Sequence, residues 1–170
     1  TIFSVVCTIA SLRGFAITSV LGGVVFSLGL ILGVVAGAEL FTGNNLMMMS
    51  WVAGRISTGL LLRNFAVVFL ANAVGAIGLA WLVSRSGPDD VIRHDGVTIA
   101  MTKVSSGFAV AFYRGMLCNV LVCLAVWLAM AGRSVTDKVV AIILPVAAFV
   151  AAGFEHSIAN LYFVPLGLFL

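Results

Sequence analysis

The stretch Gly153-Phe154-Glu155-His156-Ser157-Ile158-Ala159-Asn160 sets a carboxylate and an imidazole inside otherwise apolar sequence. Residues 139–154 before it are nearly all apolar, and Leu161 to Leu170 after it are apolar again. Two chemistries suit such a pair: acid–base exchange, or sparse polar contacts for a solute crossing a bilayer. An ionisable residue at membrane depth is costly, and the cost marks it as a functional candidate. The plainer alternative is a polar residue at a helix end. A second stretch bears on the choice. Val34, Ala36, Gly37, Glu39 and Asn44 follow the pattern V-x-A-G-x-E-x-x-x-x-N, and so do Val150, Ala152, Gly153, Glu155 and Asn160. Matching polar, glycine-containing breaks in two apolar segments predict paired broken membrane helices around a transport site.

The elements that must position these residues are membrane helices. The chain has 170 residues, 62% hydrophobic and only 9% charged, which excludes a soluble domain of this size. The net charge of +3 comes from scattered basic residues, so nothing points to nucleic acid. Cys7, Cys118 and Cys123 lie in apolar runs and read as small buried hydrophobes needing neither disulfide nor metal. The expectation is one membrane domain over residues 1–170, all-α and polytopic. It also reads as a portion of a longer protein, with an incomplete first span and no sixth.

In order, residues 1–12 read as the exit half of a helix, followed by a turn at Arg13 and Gly14. Phe15 to Phe41 is long enough for the ~20 residues a span needs. Gly29, Gly33 and Gly37 predict a ridge for close helix approach. Thr42 to Asn45 break that helix, and Leu46 to Ala53 resume as a packed half-helix, a better reading of Met47-Met48-Met49 than a soft-metal site. Thr58 to Ser84 spans next, with Ala71, Gly75 and Gly78 for packing and Asn72 for a helix–helix hydrogen bond. Arg85 to Lys103 is expected as the long polar connection, with His94 solvated. Val104 to Ala131 spans again, carrying Arg114 and Asn119; Gly132 to Lys138 is a short loop; Val139 opens the second broken helix. The two broken helices should run antiparallel, since two complete spans separate them. The short basic loops at Arg55–Arg63 and Arg133–Lys138 weigh slightly toward a cytoplasmic side.

Several stretches closely resemble the formate/nitrite transporter family of pentameric anion channels. They are Phe26 to Leu32, Gly37 to Thr42, Cys118 to Trp127, Gly132-Arg133-Ser134 with Asp137-Lys138, and Gly153 to Asn160. The resemblance covers nearly the whole chain, and the last motif is the most specific. It implies six spans, an aquaporin-like inverted repeat, one pore per protomer, a homopentamer in the inner membrane, and a small monovalent anion as solute with no cofactor. Position by position, it implies Phe26 and Phe149 at a periplasmic constriction and Leu30, Leu40, Phe41 and Val122 at or near a cytoplasmic one. His156 would be the central histidine and Thr42 its partner on a mobile loop. Lys103 would be a vestibule lysine, and Asn119 also matches. Glu155 is expected to orient the surrounding backbone. Arg114 either pairs with Glu39 or Glu155 or adds to the anion path.

The leading expectation is a passive or proton-coupled channel for formate, with nitrite and hydrosulfide as alternatives in the same family. A water or glycerol channel would need Asn-Pro-Ala at both breaks, and none of Pro88, Pro145 and Pro165 follows an asparagine. A membrane-embedded enzyme using Glu155 and His156 would lack an accompanying nucleophile, metal cluster or cofactor motif. A non-transporting assembly subunit would not need charged residues at both breaks.

Overall fold

The computed structural model describes residues 15–170, with side chains from Ser19 onward; the expectations for residues 1–14, including Cys7, lie outside it. The described residues form helices α1 (Phe15–Ala36), α2 (Met47–Val52), α3 (Thr58–Arg85), α4 (Asp90–Val104), α5 (Phe108–Ala131), α6 (Val135–Ala151) and α7 (Ser157–Phe169), with a short 3-10 turn at Asn44–Leu46 before α2. Ser19–Ala36, Thr58–Arg85 and Phe108–Ala131 are each long and apolar enough to cross a membrane. The class is all-α and polytopic, as expected.

Two packing groups organise the bundle: α6 lies against α1 and α5, and α7 lies against α3 and α4. The first group holds the core, where Leu30 of α1, Cys118, Val122, Ala125 and Ala129 of α5, and Ile142, Val146 and Phe149 of α6 are all buried. Helices α1 and α6 run antiparallel. Gly23 of α1 meets Ala147 of α6, while Gly33 and Val34 share a cavity with Lys138 at the other end of α6. A Cβ at Gly23 would lie 2.5 Å from the Ala147 Cα, so this glycine sets how closely the two helices approach.

That contact corrects the glycine ridge. Gly29 faces open space, Gly33 lies under its own chain's Ala38 carbonyl, and Gly37 serves the chain reversal with φ +75°. Gly153 does the same at the second break, with φ +67°. Both breaks therefore use glycine for a backbone conformation that a side chain would strain.

The polar connection is also corrected. Asp89 caps a helix by accepting from the Ile92 N–H at 2.9 Å, and α4 then continues to Val104. Ile92, Gly96, Ala100 and Lys103 recur at helical spacing on its less exposed side. Charge content masked that periodicity. His94 is 81% exposed beside Asp95, as a solvated histidine should be. The following span begins at Phe108, and α6 begins at Val135, so Asp137 and Lys138 belong to its first turn. Ser134 caps that turn in a reciprocal box with Asp137. The Asp137 carboxylate accepts backbone N–H bonds from Ser134 and Arg133, which hold its pKa below the usual range.

Candidate functional site

Each break is locked by the same side-chain bond. Asn44 donates its amide to Glu39 Oε2, and Asn160 donates to Glu155 Oε2 at 2.9 Å. The five-residue spacing shared by the two motifs thus closes a loop of the same kind in both segments. The first break is held further from α3. Asn64 accepts from Asn44 at 3.0 Å, and Asn72 receives the Phe41 N–H while donating to the Glu39 carbonyl, both at 3.0 Å. Asn72 therefore does not join two helices as expected. It satisfies backbone groups that the broken helix leaves without partners.

The breaks meet at a buried pair. Thr42 Oγ1 lies 3.1 Å from His156 Nε2, and both residues are buried. His156 is also the N-cap of α7, with Nδ1 accepting the Ala159 N–H at 3.2 Å. Since Nδ1 accepts, the hydrogen-bond network assigns the neutral ring's proton to Nε2, which donates to Thr42. The ring stacks on Phe149 at 5.9 Å between centroids and meets Phe26 edge-on at 5.4 Å.

His156 forms part of the wall of a cavity of about 410 Å³ that is otherwise almost wholly apolar. Phe26, Leu30, Leu40, Val122 and Phe149 line the same space. Phe26 and Phe149 also touch each other edge-on at 5.7 Å. A second cavity of about 330 Å³ lies between α1, the first break, α5 and Lys138 of α6, with Leu30 and Leu40 lining both. These two leucines separate one space from the next.

The other expected residues lie elsewhere. Phe41 turns toward Phe65 and Phe69 of α3 and lines neither cavity. Asn119 also lines neither; its Oδ1 is buried without a hydrogen-bond partner among the described residues. Lys103, placed by helix α4 rather than by a loop, lies 2.7 Å from Glu155, with both side chains largely buried. Glu155 is thus committed to Lys103 and Asn160, not to Arg114. Arg114 is exposed on α5 and makes no ion pair with Glu39 or Glu155. Ile158, Ala159, Tyr162 and Phe163 were missed as cavity residues, although their spacing after His156 marks one face of α7. Ala76 and Leu79 of α3 carry no sequence signal that distinguishes them from lipid-facing neighbours. No group of three metal-ligating side chains occurs among the described residues.

Fold and site together define a polytopic helical membrane protein with two broken helices whose breaks meet beside an apolar cavity. The chain belongs to the formate/nitrite transporter family, whose profile, Formate/nitrite transporter, matches residues 1–170. It is 42% identical over 158 residues to the formate channel FocA of Haemophilus influenzae, covering 91% of this chain and 56% of that protein. The formate channel FocA of Escherichia coli strain K12 is 44% identical, with 91% and 55% covered. The nitrite transporter NirC of Salmonella typhimurium is 36% identical, with 95% and 61% covered. The chain thus spans little more than half the length of these curated relatives. Among solved structures, a pentameric formate channel with formate bound superposes with a TM-score of 0.84 at 41% identity, covering 98% of this chain and 67% of that one.

Proposed function

We propose that this chain forms most of the conducting path of a channel for a small monovalent anion, with formate the first candidate. The observation that carries the reading is the buried Thr42–His156 hydrogen bond beside an apolar cavity, with aromatic and leucine side chains forming its wall. A hydrated cation finds no ligands there. A dehydrated monovalent anion finds one polar ring and the N-terminus of α7. The identity to formate channels puts formate ahead of nitrite and hydrosulfide. We further read the two breaks as an inverted repeat and the protein as a homopentamer in the cell membrane, supported by the solved relative's pentameric form.

Within the path, Phe26 and Phe149 form one constriction, and Leu30, Leu40 and Val122 another. Phe41 supports the first break from the α3 side. Lys103 fixes Glu155, and through Asn160 the start of α7, in the position that presents His156. Asn119, which lines neither cavity, carries a buried amide oxygen without a partner among the described residues. Uptake of labelled formate into liposomes holding the full-length protein, with competition by nitrite and hydrosulfide, tests the reading. Water or glycerol permeation without anion flux would replace it.

Proton coupling is the finer part of the proposal. Stripping a monovalent anion of water costs several kcal/mol. Protonating a carboxylate of pKa ~4 at pH 7 costs about 4 kcal/mol, so the two routes compete and local groups decide. For His156 to donate a proton it must first carry two, and the second would sit on Nδ1, where the Ala159 N–H now points. The donor state and the capped state therefore exclude one another. Proton transfer requires the start of α7 to loosen, and the Nε2 proton then leaves directly or through Thr42 or an ordered water. Formate uptake should carry protons, run faster with an acidic outside, and lose this response in His156→Asn while some anion flux survives. A pH-sensitive dye inside the liposomes reads it. Electrogenic flux at every pH, with no proton movement, would reduce His156 to a polar gate.

A further inference from the structure

The second cavity holds a charge that the central one lacks. Its wall includes Gly33, Leu40, Asn44, Val126 and Lys138. The Asn44 amide is already engaged by Glu39 and Asn64. Lys138 is the one Lys, Arg, Asp or Glu side chain in the wall of either cavity among the described residues.

Three features keep that charge available. The adjacent carboxylate, Asp137, is turned into its own capping box, accepting from the Arg133 and Ser134 N–H groups at 3.0 Å each. Glu39 is engaged by Asn44, and Glu155 by Lys103. No ion pair joins the Lys138 ammonium to any described carboxylate. Its stem is seated against Gly132, where an added Cβ would come within 3.0 Å of Lys138 Cγ, so the absence of a side chain there leaves it room. The two lysines near the path are therefore unlike. Lys103 is neutralised at 2.7 Å and lines neither cavity, whereas Lys138 is unpaired and lines the chamber beyond Leu30 and Leu40.

We propose that Lys138 forms an anion-collecting site in the chamber on the Arg133 side of the path. The inference rests on the anion-path reading above and adds the residue that concentrates the solute before the leucine barrier. Low-dielectric walls focus the field of a single charge and raise the local counter-ion concentration. An ammonium is a point charge without the planar fork that distinguishes one oxyanion from another. The site therefore accepts small monovalent anions in general, formate and nitrite alike, and selection falls to the leucine barrier and His156. From Lys138 to Phe149 the path along α6 is about 16 Å, at 1.5 Å per residue. Collection and selection are thus separate steps.

Two measurements on the full-length protein test this. In oriented vesicles, Lys138→Gln should raise the half-saturating concentration of formate, and of nitrite by the same factor, roughly three- to tenfold, with maximal flux little changed. The rise should occur for anion supplied on the Arg133 side and not on the opposite side. Lys138→Arg should restore most of it. A merely structural lysine would give neither the sidedness nor the rescue. The second measurement needs no flux: formate should slow acylation of Lys138 by a limiting neutral reagent, read by peptide mass spectrometry, while acylation of an added free lysine peptide is unchanged. Unaltered half-saturation in Lys138→Gln, or a rise equal from both sides, overturns the proposal where the wild type conducts. If the wild type conducts no anion, the functional reading fails by itself. Protection of Lys138 then still supports an anion site, and its absence overturns one.

Discussion

His156 has both ring nitrogens occupied, one by a helix N-terminus and one by Thr42, so its role is set by partners the sequence places far away. Thr42→Val keeps the shape of the side chain and removes the oxygen that accepts from Nε2. Leaving a buried donor unsatisfied costs about 1–3 kcal/mol. If about 1.4 kcal/mol of that falls on the barrier, formate flux drops about tenfold, and Thr42→Ser should recover it. Undiminished uptake by Thr42→Val would show that the hydroxyl has no part in the path. The Lys103–Glu155 pair allows a sharper test. Removing one partner of a buried ion pair costs about 3–5 kcal/mol, chiefly because the other charge is stranded. Lys103→Met should therefore lower the melting temperature in detergent more than the double change Lys103→Met with Glu155→Gln. Equal losses would mean that the pair is not coupled in this way.

At the scale of elements, the breaks depend on glycine and the helix starts on caps. Ala at Gly37 or Gly153 would occupy the left-handed region, at a cost of about 1–2 kcal/mol each. Both variants should unfold earlier, whereas Gly29→Ala, which meets nothing within 4 Å, should be close to neutral. Gly23→Val should be worse than any of these, since its side chain meets the Ala147 backbone rather than a movable side chain. The α6 cap has a pH signature. Hydrogen bonds from Ser134 and Arg133 depress the Asp137 pKa in the folded state. That contribution is therefore fully present above the usual carboxylate range and is lost as pH falls through the depressed value. Thermal melts between ~pH 3 and ~pH 6 should show a smaller acid loss in Asp137→Asn than in the wild type. An unchanged acid slope would mean that the box does not contribute.

For the whole molecule, the outward faces of α3 and α5 are apolar, with Leu62, Leu70, Val74, Val120 and Trp127 exposed. A bilayer or neighbouring protomers must cover such surfaces. A Cβ added at Gly75 or Gly78 would meet nothing within 4 Å among the described residues, leaving that side of α3 room for the close approach of another helix. Native mass spectrometry of the full-length protein should show a pentamer, and a monomer under the same gentle conditions would defeat the assembly proposed above.

Much of this was legible in the sequence because a membrane imposes rules that act locally. Continuous apolar runs reported the spans, and the G-x-E-x-x-x-x-N spacing reported both breaks, since a chain without water must satisfy its freed backbone groups from nearby side chains. His156 stood out for the same reason. What tertiary structure decided were the partners. Lys103 reads as a loop residue because its charged neighbours hide the Ile92–Gly96–Ala100 stripe, and only α4 packing on α7 brings it to Glu155. Phe41 and Leu40 are adjacent in sequence, yet one faces α3 and the other the cavity, because the break turns the backbone between them. Gly29 and Gly23 look alike in an apolar run, and only the crossing with α6 makes Gly23 the contact. Lys138 reads in the sequence as one more basic residue beside Arg133, in a family-like stretch that gives it no role; its meaning comes from the chamber that α1, α5 and α6 enclose and from the turning away of Asp137. Burial cost is a property of each segment, so sequence reveals it. The pairing of charges across segments is a property of their packing, and only the folded chain fixes it.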